Sequence, residues 1–166
     1  VFIDVFYIMN IATGSLWRQH LYQQYRNAIE KMGFAGIHMD TYGFPKTAYS
    51  HIADSPELVH LDMEFPSLIN ETRDALLKVS PDPYLIFNNV GNWPVYATAA
   101  SLQDAVYIEV WNPFDRYEHI AQIIREARYY GGSQKSIILA AYLKPFQEKD
   151  NYAEASVAAL ILTAAI

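Results

Sequence analysis

Cysteine is absent from the 166 residues, which excludes disulfides, thiol catalysis and thiolate-held metals. A basic cluster is missing too. Lysine and arginine number 12 against 18 acidic residues, for a formal net charge of −6. Nothing in that pattern would neutralise a phosphate backbone, so no nucleic-acid partner is expected. The apolar stretch from Ala155 to Ile166 is 12 residues long, short of the roughly 20 that a spanning helix needs. It reads as a buried helix, and no membrane partner is expected. A Gly-x-Gly-x-x-Gly turn is also lacking, so a nucleotide-binding doubly wound sheet has no signature here. No leader segment is visible either. Val1 opens directly on a strand-like run, and the chain is expected to be a piece of a longer protein.

What is present is a core-forming composition. Apolar residues make up 52% and aromatics 14%, far from a disordered chain and sufficient for one domain. The 13 tyrosines offer flat apolar faces with a polar tip, which suits sugar rings.

Val1 to Met9 is β-branched and aromatic and predicts a strand. Leu16, Leu21, Tyr25, Ala28, Ile29 and Met32 recur at helical spacing, and Gly33 ends that helix. Phe34 to Met39 is the next strand. From Tyr42 to about Phe65 no period is clear and Pro45, Pro56 and Pro66 punctuate the segment, although Val59, Leu61, Met63 and Phe65 alternate as in a short hairpin arm. Ser67 to Val79 predicts a helix, Tyr84 to Phe87 a strand, Val95 to Ser101 a short helix, and the run ending in Glu109 another strand. Tyr117 to Tyr130 is amphipathic and closed by Gly131 and Gly132. Ser136 to Leu143 is the fifth strand and Asn151 to Ile166 the fifth helix.

Continuous apolar strands alternating with helices predict an α/β fold with a parallel sheet. Five such units are expected to be part of a (β/α)8 TIM barrel, which needs eight. The competing architecture is an open doubly wound sheet.

Asp40 and Glu109 each end a strand-like run beside aromatic residues, at the rim where such folds place their chemistry. A pair of carboxylates is the machinery of glycoside hydrolysis, with the acids ~5–5.5 Å apart in retaining enzymes and ~6.5–9.5 Å in inverting ones. For either acid alone the plainer reading is a helix cap or a loop ion pair. His38 shares the face of Asp40 by strand alternation. It is read as a partner of a sugar hydroxyl or of Asp40 rather than a metal ligand, since no second pair of ligand residues stands at suitable spacing. Trp17, Tyr42, Trp111 and Tyr142 are candidate stacking platforms, with core packing the plainer alternative for each. Asn88 and Asn89 end a strand and are candidates for sugar hydroxyls, and alternation turns only one of them to the mouth. Asp115 would support an acceptor hydroxyl or cap the helix that follows.

Trp17, the run Phe34-Ala35-Gly36-Ile37-His38-Met39-Asp40-Thr41-Tyr42-Gly43, Asn88-Asn89-Val90-Gly91, Tyr107-Ile108-Glu109-Val110-Trp111 and Ala140-Ala141-Tyr142 together resemble successive motifs of glycoside hydrolase family 66. Their order and spacing carry the resemblance, which covers nearly the whole chain. It implies that the chain is one fragment of a catalytic barrel domain, supplying its third to seventh strands and lacking the first, second and eighth. It places the nucleophile on Asp40 and the acid/base on Glu109.

The activity implied is retaining cleavage of α-1,6-glucan of the endo-dextranase type, with a cycloisomaltooligosaccharide glucanotransferase as the alternative. The expected partners are a poly- or oligosaccharide substrate and the missing barrel strands, with no cofactor. Secretion or a bacterial cell-surface or periplasmic location follows from the resemblance alone. A sugar-binding barrel without catalysis, and another barrel enzyme such as a metal-dependent hydrolase or an aldolase using Lys144, are the readings from other classes. Open sheet edges would leave the segment inactive by itself.

Overall fold

The computed structural model describes residues 8–41, 43, 47–51, 54–141, 153–157 and 160. The expected strand at the N-terminus and much of the last helix fall largely outside them, as do Tyr42, Tyr142 and Lys144. Among the described residues the order is α1 (Leu16–Met32), β1 (Gly36–Met39), β2 (Thr47–Ser50), β3 (Glu57–His60), α2 (Leu61–Leu77), β4 (Tyr84–Val90), α3 (Val95–Thr98), β5 (Ala105–Val110), α4 (Tyr117–Gly131) and β6 (Ser136–Ala141). Residues 153–157 are helical. No described helix is long and apolar enough to cross a membrane.

Strands β1, β4, β5 and β6 form one four-stranded sheet in that order, and every neighbouring pair is parallel. The α/β fold with a parallel sheet is as expected, and the sheet is open among the described residues. A separate antiparallel pair, β2 and β3, follows β1.

Strand alternation divides the sheet into two unlike faces. Met39 pairs with Phe87, Phe87 with Val106 and Val106 with Ile137, so their side chains form one row on one face. Leu85, Ile108 and Val110 share that face by the period of two, and all but Ile137 are buried. Two clusters cover it. Helices α1 and α2 pack on the β1–β4 half through Leu21, Tyr25, Ile29, Phe65, Leu68, Ile69 and Leu76. Helices α3 and α4 pack on the β5 half through Val95, Ile120, Ile123, Ile124 and Ala127. All four helices thus lie on one side, and burying each large side chain there is worth about 1.5–3 kcal/mol. The opposite face carries His38, Ile86, Asn88, Tyr107, Glu109 and Ile138.

The helix ends follow local chemistry. Ser15 caps α1 by accepting from the Arg18 N–H, and Gly33 closes it with φ 77°, a conformation that costs a residue without Cβ little. The Gly33 and Phe34 N–H groups then bond the Ile29 and Ala28 carbonyls.

Two expectations are corrected between Tyr42 and Val79. The hairpin lies at residues 47–50 and 57–60, and helix α2 begins at Leu61 instead of Ser67. Leu61, Met63 and Phe65 are therefore helical. Pro66 sits inside the helix, where its missing N–H removes one intrahelical bond. Asp62 and Glu64 in the first turn complement the positive end of the helix dipole.

Buried Arg18 locks α1 to α2. Its guanidinium meets Glu64 and Glu71, each at 3.0 Å, and the Arg18 Nε–H donates to the Ile11 carbonyl.

Candidate active site

Strand β1 ends at Met39 and the next residue, Asp40, is exposed. Gly43 has φ 76°, and a Cβ on it would stand 2.6 Å from Val90 Cγ1. Only a glycine fits that close passage without a shift.

The pairing of Met39 with Phe87 brings Asp40 beside Asn88, and the pairing of Asn88 with Tyr107 and Val90 with Glu109 brings Glu109 to the other side of the same strand. The Asn88 side chain is buried and its amide nitrogen bonds both acids. Asn88 Nδ2 donates to Asp40 Oδ1 at 2.8 Å and to Glu109 Oε2 at 3.1 Å. The two carboxylate oxygens therefore lie at most 5.9 Å apart, the sum of 2.8 and 3.1 Å. For that pair of oxygens the limit lies below the ~6.5 Å at which inverting spacing begins.

Thr41 completes the frame and was not expected from the sequence. Its backbone N–H donates to Asp40 Oδ1 at 2.9 Å, and its hydroxyl donates to the Asn88 carbonyl at 3.1 Å. Asp40, Thr41 and Asn88 thus close a ring of hydrogen bonds at the strand ends. The hydroxyl bonds a carbonyl 47 residues away in the chain, so no local pattern in the sequence marks it.

The remaining expected residues divide by face. The exposed His38 ring packs on Tyr107, with centroids 4.6 Å apart and planes at 56°. Trp111 is exposed just beyond β5 and continues the alternation of Tyr107 and Glu109. Asn89 is on the helix-covered side and fully buried. Its amide group donates to the Tyr107 carbonyl at 2.9 Å and its Oδ1 accepts from the Thr98 hydroxyl at 2.5 Å. It holds β4, β5 and α3 together, so its expected contact with substrate is corrected to a structural role.

Trp17 is also on that side. It sits on α1, packs against the core and stacks on His20 at 5.3 Å. It is half-buried, on the face away from the two acids. Asp115 is an exposed loop residue 3.5 Å from His119 Nδ1. The residue that caps α4 is its neighbour Arg116. Tyr42 and Tyr142 lie outside the described residues. Among the described residues no three His, Asp or Glu side chains are grouped to hold a metal ion.

Comparison with known proteins gives this geometry a context. Two cycloisomaltooligosaccharide glucanotransferases of Niallia circulans align with the chain. One is 27% identical over 133 residues, covering 76% of this chain and 13% of the relative. The other is 28% identical over 154 residues, covering 89% and 16%. The chain therefore spans less than a fifth of the length of these curated relatives. The crystal structure of a Paenibacillus sp. cycloisomaltooligosaccharide glucanotransferase complexed with cycloisomaltoheptaose matches with a TM-score of 0.73 at 27% identity, over 82% of this chain and 20% of that one. The model of glycosyl hydrolase family 66 matches residues 2–165, and the chain belongs to that family.

Proposed function

We propose that this chain carries the catalytic carboxylate pair of a retaining enzyme acting on α-1,6-linked glucan, with Asp40 as nucleophile and Glu109 as acid/base. The observation that supports this is the single Asn88 amide that hydrogen-bonds both acids, holding Asp40 Oδ1 and Glu109 Oε2 within 5.9 Å of each other. Acids held this near each other favour retention, since inverting pairs stand ~6.5–9.5 Å apart to admit a water. Asp40 attacks C1, forming a C1–O bond as the glycosidic C1–O bond breaks, and the leaving oxygen takes a proton from Glu109. In the second half-reaction an acceptor hydroxyl attacks C1 and gives its proton to Glu109, and the bond to Asp40 breaks.

Water as acceptor makes the enzyme a dextranase. The 6-hydroxyl at the far end of the same glucan chain makes it a cyclising transferase. The Niallia circulans and Paenibacillus relatives bear the glucanotransferase name, which favours cyclising transfer over the endo-dextranase reading that the sequence alone put first. We assign the four-stranded sheet to the wall of a (β/α)8 barrel within one catalytic domain. Helices on a single face support this, because a doubly wound sheet carries them on both. The polar face would then line the barrel mouth.

Variants in the longest natural form of the protein test the assignment. With azide and an activated α-glucoside, Asp40→Gly yields the β-glucosyl azide and Glu109→Ala the α-glucosyl azide. Cyclic isomaltosaccharides from the unaltered protein establish transfer, and linear products establish hydrolysis. Undiminished glucan turnover by either variant would refute the pair.

A further inference from the structure

Asn88 does more than bring two acids together, because it treats their oxygens unequally. Asp40 Oδ1 accepts two hydrogen bonds, from Asn88 Nδ2 at 2.8 Å and from the Thr41 N–H at 2.9 Å. Asp40 Oδ2 accepts none among the described residues. A carboxylate oxygen holding two donors has its lone pairs engaged and its rotation fixed. The other oxygen keeps its electron density for attack. Asn88 is 3% exposed and sits mid-sheet between β1 and β5, where its backbone carbonyl accepts from the Thr41 hydroxyl. An amide between two carboxylates must present its NH2 group, since an oxygen there would be repelled from both sides.

Resting on the assignment of Asp40 as nucleophile, we infer that Asn88 is a positioning residue that selects Asp40 Oδ2 as the attacking oxygen. Attack forms the C1–Oδ2 bond as the glycosidic bond breaks and Glu109 protonates the departing oxygen. Oδ1 becomes the ester carbonyl, which still accepts from Asn88 and Thr41. The same two donors therefore hold Asp40 before and after glucosylation, and no side-chain rotation separates the two half-reactions. The second Asn88 hydrogen, on Glu109 Oε2, keeps the acid/base at a fixed distance from the nucleophile throughout. Preset geometry of this kind is worth large factors, since a misplacement of about 1 Å costs on the order of 100-fold.

The test combines a trapped intermediate with two variants, all in the longest natural form of the protein. A crystal structure of the adduct with a 2-deoxy-2-fluoro-α-glucosyl fluoride is expected to show C1 bonded to the Asp40 oxygen that faces away from Asn88. Asn88→Ala and the isosteric Asn88→Asp are expected to lose about 100-fold in kcat on an aryl glucoside whose leaving group needs no proton. Their KM should stay within about threefold, whereas a merely structural lesion would weaken substrate binding too. A bond to the Asn88-facing oxygen overturns the inference without needing either variant. Unchanged kcat in either soluble variant also overturns it. An adduct on a residue other than Asp40 would instead remove the assignment on which the inference rests.

Discussion

The rings of His38 and Tyr107 meet at 4.6 Å on the polar face, although the residues belong to strands separated by β4. The contact reaches diagonally across Ile86 and Asn88, one step below the carboxylate pair. Such a ring pair is worth about 0.5–1.5 kcal/mol, enough to hold Tyr107 upright beside Glu109. His38→Ala should lower kcat/KM on isomaltosaccharides about tenfold. Thermal unfolding should lose no more than the ring pair itself, about 0.5–1.5 kcal/mol. A large fall in melting temperature would make the residue structural instead.

The role of Glu109 predicts a dependence on the leaving group. Glu109→Gln should cost roughly 10²–10⁴ in kcat on glucan, the usual worth of a positioned proton donor. On an aryl glucoside with a strongly acidic phenol the loss in the first step should nearly vanish. Equal losses on both substrates would contradict a proton-donor role.

Arg18 supplies a stability prediction. It is 1% exposed and bonded to Glu64, Glu71, Ser67 and the Ile11 carbonyl. Arg18→Ala removes the positive partner of this network and leaves a cavity between α1 and α2. The expected cost is about 3 kcal/mol or more, read from urea unfolding. A cost below about 1 kcal/mol would mean that the pairs behave like solvated surface contacts.

Alkaline stability follows from Tyr22 and Tyr25. Burial is the larger cause pushing Tyr22 up, and its bond to Glu71 Oε2 at 2.6 Å adds to it. Burial alone raises Tyr25. Both groups hold their protons when folded at a pH where the unfolded chain has released them. Above the ordinary tyrosine value of about 10 the folded state binds more protons, so stability falls as pH rises. Melting temperature should therefore decline from about pH 10 upward. Tyr22→Phe should make that decline shallower, and an unchanged slope would rule out Tyr22 as a source.

Much of this fold was legible from period and punctuation. Helix α1 and its stop at Gly33, the amphipathic α4 and the continuous apolar strands all report side chains that meet one packed face. The start of α2 was not legible, because Pro66 reads as a breaker and the alternation of Leu61, Met63 and Phe65 mimics a strand. At helical spacing Leu61, Phe65 and Leu68 fall on one face, and all three are buried. In the site, alternation by itself turned only one of Asn88 and Asn89 toward the acids. Choosing Asn88 required the register with β1. Trp17 carried no such constraint, since an aromatic on a helix packs as readily on a core as on a sugar.

Asp40 as nucleophile must form a covalent bond to sugar carbon. Incubation of the protein's longest natural form with a 2-deoxy-2-fluoro-α-glucosyl fluoride, followed by peptide mass spectrometry, measures that directly. The predicted result is one fluoroglucosyl group per chain, on the peptide containing Asp40 and absent from Asp40→Asn. A label on any other residue, or loss of activity with no covalent label, would contradict it.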